Sequence, residues 1–312
     1  MRDEASGCLT HDAMFYRDDH EFAATLVPYV RAGLAEGQAV AAAVTGPNIT
    51  LLRDALGTDH TQVSFFDRDD WYARPATTVA RWHRVLTEAT RRGRRHVRLV
   101  GEVGFGGHLP SWHRYEAALN DIFAAAPVSI VCPYDTRVLP PELLDEARRT
   151  HPTVVAGEGR QPSDAYVTTA QFLLNVPEAL PPVSGPPVLT MELVGGVVQA
   201  RQAVTALVEA NGWTGLDRAD DLVLALSEIT TNSLRHGGGR RELRVWVDGC
   251  TLTCEVADDG PGPADPLAGY RPPDPAGTGG RGLWISRQLC DALGIGHRDG
   301  ATQVRFAVLL SH

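Results

Sequence analysis

The chain has 312 residues, 43% of them hydrophobic and 21% charged, a balance that describes a globular protein long enough for two ordinary domains. Its formal net charge is -9, divided as -5 over 1–187 and -4 over 188–312, so neither half carries the bulk positive charge of a nucleic-acid binder. All 29 basic residues are Arg, and the lack of Lys excludes P-loop ATPases, eukaryotic-type protein kinases and Schiff-base enzymes.

The first half alternates two kinds of pattern. Helical apolar spacing is predicted over 19–36, 48–56, 77–92, 112–125 and 142–149. Between these lie short apolar or β-branched runs at 39–44, 63–66, 97–100 and 128–132. Strands alternating with helices imply a parallel sheet covered on both faces, a three-layer α/β domain. Ligands of such sheets gather beyond the carboxyl ends of strands, where Asp67, Glu102 and Asp135 fall. The cluster Arg91, Arg92, Arg94 and Arg95 reads as a solvated helix end. A proline-rich strip over 176–187 has little apolar periodicity and reads as an extended linker, with domains at 1–175 and 188–312.

After the strip the order changes. A strand is predicted over 188–194 and helices over 197–210 and 217–235, with Asp217 as N-cap of the second. Two strands, 241–247 and 251–257, flank an Asp-Gly turn. A loop rich in Gly, Pro and Asp runs over 258–280, followed by a helix over 283–292 and a strand over 302–309. Adjacent strands joined by a tight turn mark an antiparallel sheet, so this half is expected to be a two-layer α/β sandwich.

Five cysteines (Cys8, Cys132, Cys250, Cys254 and Cys290), an odd number with no CxxC pair, read as neither a disulfide scaffold nor a zinc site. The opening MRDEASGCLTHD has no apolar core of signal-peptide length, and no stretch reaches the ~18 apolar residues of a membrane span. A reducing cytoplasm is the compartment these features predict.

Four segments of the second half carry chemistry. In LALSEITTNSLRHGG, Glu228, Asn232 and His236 recur every fourth residue and share one helix face. The amide oxygen can hold a hard cation such as Mg²⁺ and the carboxylate can take a proton from a hydroxyl, although a solvated polar face has the same spacing. Asp258 closes a strand ahead of Gly260 and Gly262; a carboxylate there can accept from an exocyclic amine, and glycines let a flat ring approach the backbone. Glycines over 277–282 open the next helix, whose free N–H groups suit phosphate. Thr302 begins the last strand after Gly300.

Taken in this order, the segments resemble the GHKL (Bergerat-fold) ATP-binding domain over roughly 188–312, with Asn232 on its N-box, Asp258, Gly260 and Gly262 on its first glycine box, Gly280 and Gly282 on its second, and Thr302 on its last motif. The ExxxN spacing followed by His, the short lid and GRGLW are similar to the anti-sigma factor serine kinases, the RsbW/SpoIIAB group. That resemblance implies ATP and Mg²⁺ as cofactors, Glu228 as general base and Asn232 as Mg²⁺ ligand. The ATP site it implies comprises Asn232, Arg235, His236, Asp258, Gly260, Gly262, Gly279, Gly280, Arg281, Gly282, Leu283 and Thr302. The chain departs from relatives that place an Arg just before the lid glycines: Pro275, Ala276, Gly277 and Thr278 stand there, and Arg281 is the nearest basic residue. This departure bears on phosphoryl transfer more than on binding.

In the first half, residues 11–37, GEVGFGG and CPYDTRVLP resemble the MEDS domain, a bacterial sensory module related to RecA/KaiC-like ATPases. The implied role is sensing of a small ligand, with His11, His108, His113 and Cys132 as candidate ligand or metal residues. Three readings of the whole stay open. One is a serine/threonine kinase that phosphorylates an anti-anti-sigma (STAS) partner under sensory control. The second is a nucleotide-dependent module that sequesters a sigma factor or another regulator. The third is a sensor histidine kinase-like protein, with His83 or His96 as acceptor. Neither membrane nor nucleic acid is an expected partner, and a homodimer is left open.

Overall fold

Among the described residues of the first half, runs of small and β-branched residues build seven strands, most of them separated by helices. The computed structural model describes residues 8–105, 109–156, 159–214, 217–273, 280–298 and 300–310. The order is β1 (Thr10–Tyr16), α1 (Asp19–Ala35), β2 (Ala39–Val44), α2 (Gly46–Leu56), β3 (Val63–Asp67), the one-turn α3 (Arg68–Trp71), α4 (Pro75–Arg91), β4 (Val97–Gly101), α5 (Leu109–Ile122), β5 (Val128–Asp135), α6 (Pro141–Thr150), β6 (Thr153–Ala156), β7 (Gly159–Pro162) and α7 (Thr169–Asn175). The strands form one sheet, β3-β2-β4-β5-β1-β6-β7, parallel except for the β6–β7 pair.

Alternate side chains of this sheet enter two cores. Met14, Tyr16, Val40, Ala42, Val100 and Val131 pack with Phe22, Leu26, Val30 and Leu52 of α1 and α2. The opposite set, including Ala13, Leu99, Cys132 and Tyr134, is equally buried, as are Trp82, Tyr115 and Phe172 of α4, α5 and α7. Burial on both faces is the signature of a helix-covered parallel sheet, as expected. Strand β1 was not expected, because His11 and Asp12 interrupt its apolar pattern. Both are buried with partners inside the fold: His11 Nδ1 lies 3.0 Å from Asn120 Oδ1, and Asp12 pairs with Arg160 at 2.6 Å.

Asp67, Glu102 and Asp135 do lie at the carboxyl ends of their strands, and each is engaged within the fold. Asp67 caps α3 through the Asp69 N–H. Glu102 accepts from the Thr45 N–H and from Asn48 Nδ2, and Arg137 holds the Asp135 carboxyl below its usual range.

The second half forms β8 (Leu189–Glu192), α8 (Gly196–Ala210), α9 (Asp217–His236), β9 (Arg241–Asp248), β10 (Thr251–Asp258), α10 (Arg281–Leu289), β11 (Ala292–Arg298) and β12 (Ala301–Leu309). The sheet runs β11-β12-β10-β9-β8 and is antiparallel throughout. Leu243, Val245, Leu252, Cys254, Val256, Phe306 and Val308 face a core shared with Ala200, Val204, Leu222, Leu226 and Ile229 of α8 and α9. This is the expected two-layer arrangement. The N-cap expected at Asp217 concerns a side chain outside the described set.

Two features depart from expectation. Helix α10 stops at Leu289 rather than at 292, and the stretch Ala292–Arg298, most of it without a predicted element, forms edge strand β11. The chain divides into two compact units at Met1–Val176 and Pro177–His312, so the proline-rich strip is part of the second unit rather than a free linker. The strip runs along the sheet face opposite the helices. The Trp246 indole donates to the Gly185 carbonyl at 3.3 Å, Arg305 donates to the Pro181 carbonyl at 3.0 Å, and Arg287 pairs with Glu178 at 2.6 Å. Prolines suit a segment that gives up carbonyls but needs few N–H partners. Gly294 of β11 explains the missed strand: a Cβ there would run into the Ala179 carbonyl, so only Gly lets the strip pass.

Candidate functional site

The site of the second unit is built where α9, the end of β10, the start of β12 and the start of α10 converge. Helix α9 is followed by Gly237, Gly238 and Gly239. A side chain at Gly237 would collide with the Asp258 carboxylate, so glycine lets the helix end meet β10. Asp258 and Thr302 are register partners on neighbouring strands. Asp258 is 7% exposed. Its Oδ2 accepts from the Ser233 hydroxyl at 2.7 Å and its Oδ1 from the Gly260 N–H at 2.8 Å. Each oxygen keeps a second lone pair for a further donor. Thr302 Oγ1 donates to the Gly260 carbonyl at 2.6 Å and fixes the loop behind it. Gly262 adopts φ of 76°, and a Cβ there would lie 3.0 Å from Thr302 Oγ1.

These groups border a cavity of about 470 Å³. One wall is apolar, from Ile229, Val256, Leu267, Ile295 and Val304. Asn232, His236, Asp258, Gly262, Gly280, Gly282, Leu283 and Thr302, all expected from sequence, line it too. Gly280 takes φ of 80° and turns the chain into α10, whose first N–H groups have no partner within the helix. Gly282 approaches α9 so closely that a Cβ would stand 2.8 Å from Glu228 Oε2 and 3.0 Å from Asn232 Nδ2. The start of α10 therefore sits beside the Glu228 carboxylate and the Asn232 amide.

Other expected residues lie elsewhere. Glu228 is half-buried next to the cavity rather than in its lining, and Gly260 is buried behind it. Arg235 and Arg281 are exposed and do not line it. Gly279, with 274–278, lies outside the described residues. Among the lining residues that the sequence reading did not single out, Ser233 and Arg271 are polar groups with defined partners. Ser233 is off the four-residue spacing of its helix yet holds Asp258. Arg271, paired with Asp265 at 3.0 Å, lines the cavity from a loop without periodicity.

An apolar slot ending in a buried carboxylate with free lone pairs suits a purine bearing an exocyclic amine. Beside it, a glycine-opened helix start and a carboxamide suit phosphates and Mg²⁺. The cavity is of ordinary small-ligand size. The residues present thus fit ATP with Mg²⁺.

In the first unit, His11 and Cys132 come together, 3.5 Å between Nε2 and Sγ, and His151 joins them. His113 packs near Phe105 instead, 6.0 Å between ring centroids, and His108 lies outside the described residues. Burial draws His11 down to about 4 despite its hydrogen bond to Asn120, and burial, with the nearby His11, also lowers His151 well below the usual histidine value.

Comparison with known proteins agrees with this division. Residues 10–152 match the MEDS family, the methanogen/methylotroph, DcmR sensory domain, and residues 192–308 match the histidine kinase-like ATPase domain. The chain therefore carries a MEDS sensory domain followed by a histidine kinase-like ATPase domain of GHKL type. No curated protein matches it. Among solved structures, the Acinetobacter baumannii histidine kinase AdeS is similar at 13% identity and a TM-score of 0.27, covering 40% of this chain and 68% of that one. No helix among the described residues is long and apolar enough to cross a membrane.

Proposed function

We propose that this ATP-binding signalling protein is a serine/threonine protein kinase of the anti-sigma-factor type, acting on a STAS anti-anti-sigma partner under control of its MEDS domain. The observation that carries this reading is the placement of Glu228. One helical turn before Asn232, its carboxylate lies against Gly282 at the start of α10, where phosphates would be held. A base at that point can take the proton of an incoming hydroxyl while the γ-phosphoryl moves onto its oxygen and ADP leaves. Asn232 would hold Mg²⁺ through its amide oxygen, and Asp258 would accept from the adenine amine. ATP supplies the transferable phosphoryl group. Arg271 lines the same cavity and is a second source of positive charge beside Arg281.

The test incubates the chain with a cognate STAS-domain protein, Mg²⁺ and γ-labelled ATP. Acid-stable label on a partner Ser or Thr is expected, with Glu228→Ala lowering transfer at least ~100-fold while nucleotide affinity holds. Tight binding without transfer by the wild type would refute the kinase reading and leave the sequestering module.

A further inference from the structure

We propose that the first unit holds a transition-metal ion of the zinc class between His11, Cys132 and His151. These residues come from β1, β5 and the end of α6, and nothing in their sequence spacing relates them. All three are buried, and one ligand atom from each lies within 4.8 Å of the others. In tetrahedral zinc sites, N···S and N···N separations are about 3.6 and 3.4 Å, from bond lengths near 2.05 and 2.3 Å. The 3.5 Å between His11 Nε2 and Cys132 Sγ already matches the first. The two imidazole rings stand 4.0 Å apart between centroids.

Their tautomers are set by the surroundings. Asn120 Nδ2 donates to the carbonyls of Thr150 and Ala117, which turns Asn120 Oδ1 towards His11 as an acceptor. His11 must therefore carry its proton on Nδ1 and leave the Nε2 lone pair facing Cys132. His151 Nδ1 lies 2.8 Å from the Ala147 carbonyl, which only accepts, so His151 is also protonated on Nδ1. Its Nε2 has no hydrogen-bond partner although the residue is 0% exposed. A buried polar atom without a partner is costly, and a ligand bond removes that cost. Backbone carbonyls and amides that orient the far nitrogen of each imidazole are the usual outer shell of a metal site.

Two imidazoles and a thiol select a borderline or soft ion over Mg²⁺ or Ca²⁺. On binding, the Cys132 thiol releases its proton to solvent and the sulfur bonds the metal. Three protein donors leave the fourth position of a tetrahedral ion to a small exogenous donor. The site stitches β1 and β5, in the middle of the sheet, to the end of α6.

The test uses the full chain in a parent where the exposed Cys8 and Cys250 are replaced by Ser, stripped with chelator and titrated with Co²⁺. A thiolate-to-cobalt charge-transfer band saturating at one equivalent is expected, displaced by Zn²⁺. Zn²⁺ should raise the melting temperature by on the order of 5 °C. Cys132→Ser and His151→Gln should each abolish the band, whereas the exposed His20→Ala should keep it. The titration of the parent protein decides the matter even if a variant fails to fold. No band in the parent, or a band unchanged in a folded Cys132→Ser, overturns the proposal.

Discussion

Replacing Asp258 by Asn changes one atom in a buried position and, if Asp258 holds the adenine as proposed, should convert the base preference of the candidate nucleotide site. In the wild type, both carboxylate oxygens are engaged, by the Ser233 hydroxyl and the Gly260 N–H, and each keeps one lone pair. The Gly260 N–H can only donate, so Asn must turn its oxygen there and its amide nitrogen towards Ser233, whose hydroxyl can rotate to accept. The fold is thereby largely preserved, but an amide N–H now stands where an adenine amine needs an acceptor. A hydrogen bond to a charged group is worth roughly 1.5–3 kcal/mol. At 1.4 kcal/mol per tenfold, ATP should bind about 10- to 150-fold more weakly. Inosine triphosphate presents a carbonyl at the same ring position and should gain affinity from the new donor. Isothermal titration of both nucleotides with Mg²⁺, alongside the thermal midpoint, makes the comparison. Unchanged ATP affinity in a folded variant, or a parallel loss for both nucleotides, would refute the assignment of Asp258 to the base.

Two other perturbations probe the scaffold. Glu178→Ala strands Arg287, whose side chain is 3% exposed, and should cost the second unit roughly 3–5 kcal/mol in urea unfolding; a free linker would give no change. Burial raises Glu116 to about 8 against an unfolded value of 4.5. Its contribution to stability is therefore fully present below about pH 4.5 and is lost as pH rises through about 8. In the presence of a chelator, Glu116→Gln should remove a pH-dependent loss on the order of a few kcal/mol from the melting curve of the first unit; parallel pH profiles for wild type and variant would contradict this.

Sequence order made the candidate site legible because its parts are local. Asn232 and His236 share a helix face through spacing alone, and Asp258 with Gly262 marks a strand end meeting a turn. What escaped depends on partners far along the chain. Ser233 reaches Asp258 only because Gly237 lets α9 close on β10. Arg271 joins the cavity from a loop that no periodicity describes. The strand at 292–298 went unassigned because Gly294 and Gly296 interrupt its pattern, and they are required only by the strip that passes over them. In the first half, the helix–strand alternation fixed the sheet type. Strand β1 went unseen because its buried His11 and Asp12 are satisfied by Asn120 and Arg160, more than 100 residues away. His151 carries no local signal at all; the parallel crossovers alone bring it to His11 and Cys132.

The destination of the phosphoryl group separates a serine/threonine kinase from a histidine kinase most directly. With γ-labelled ATP, Mg²⁺ and a cognate STAS-domain protein, the chemical stability of the labelled product decides. An acid-stable phosphoester on a partner Ser or Thr, lost with Glu228→Ala, is the predicted result. An acid-labile label on a histidine of this chain, His83 or His96 among them, would contradict it.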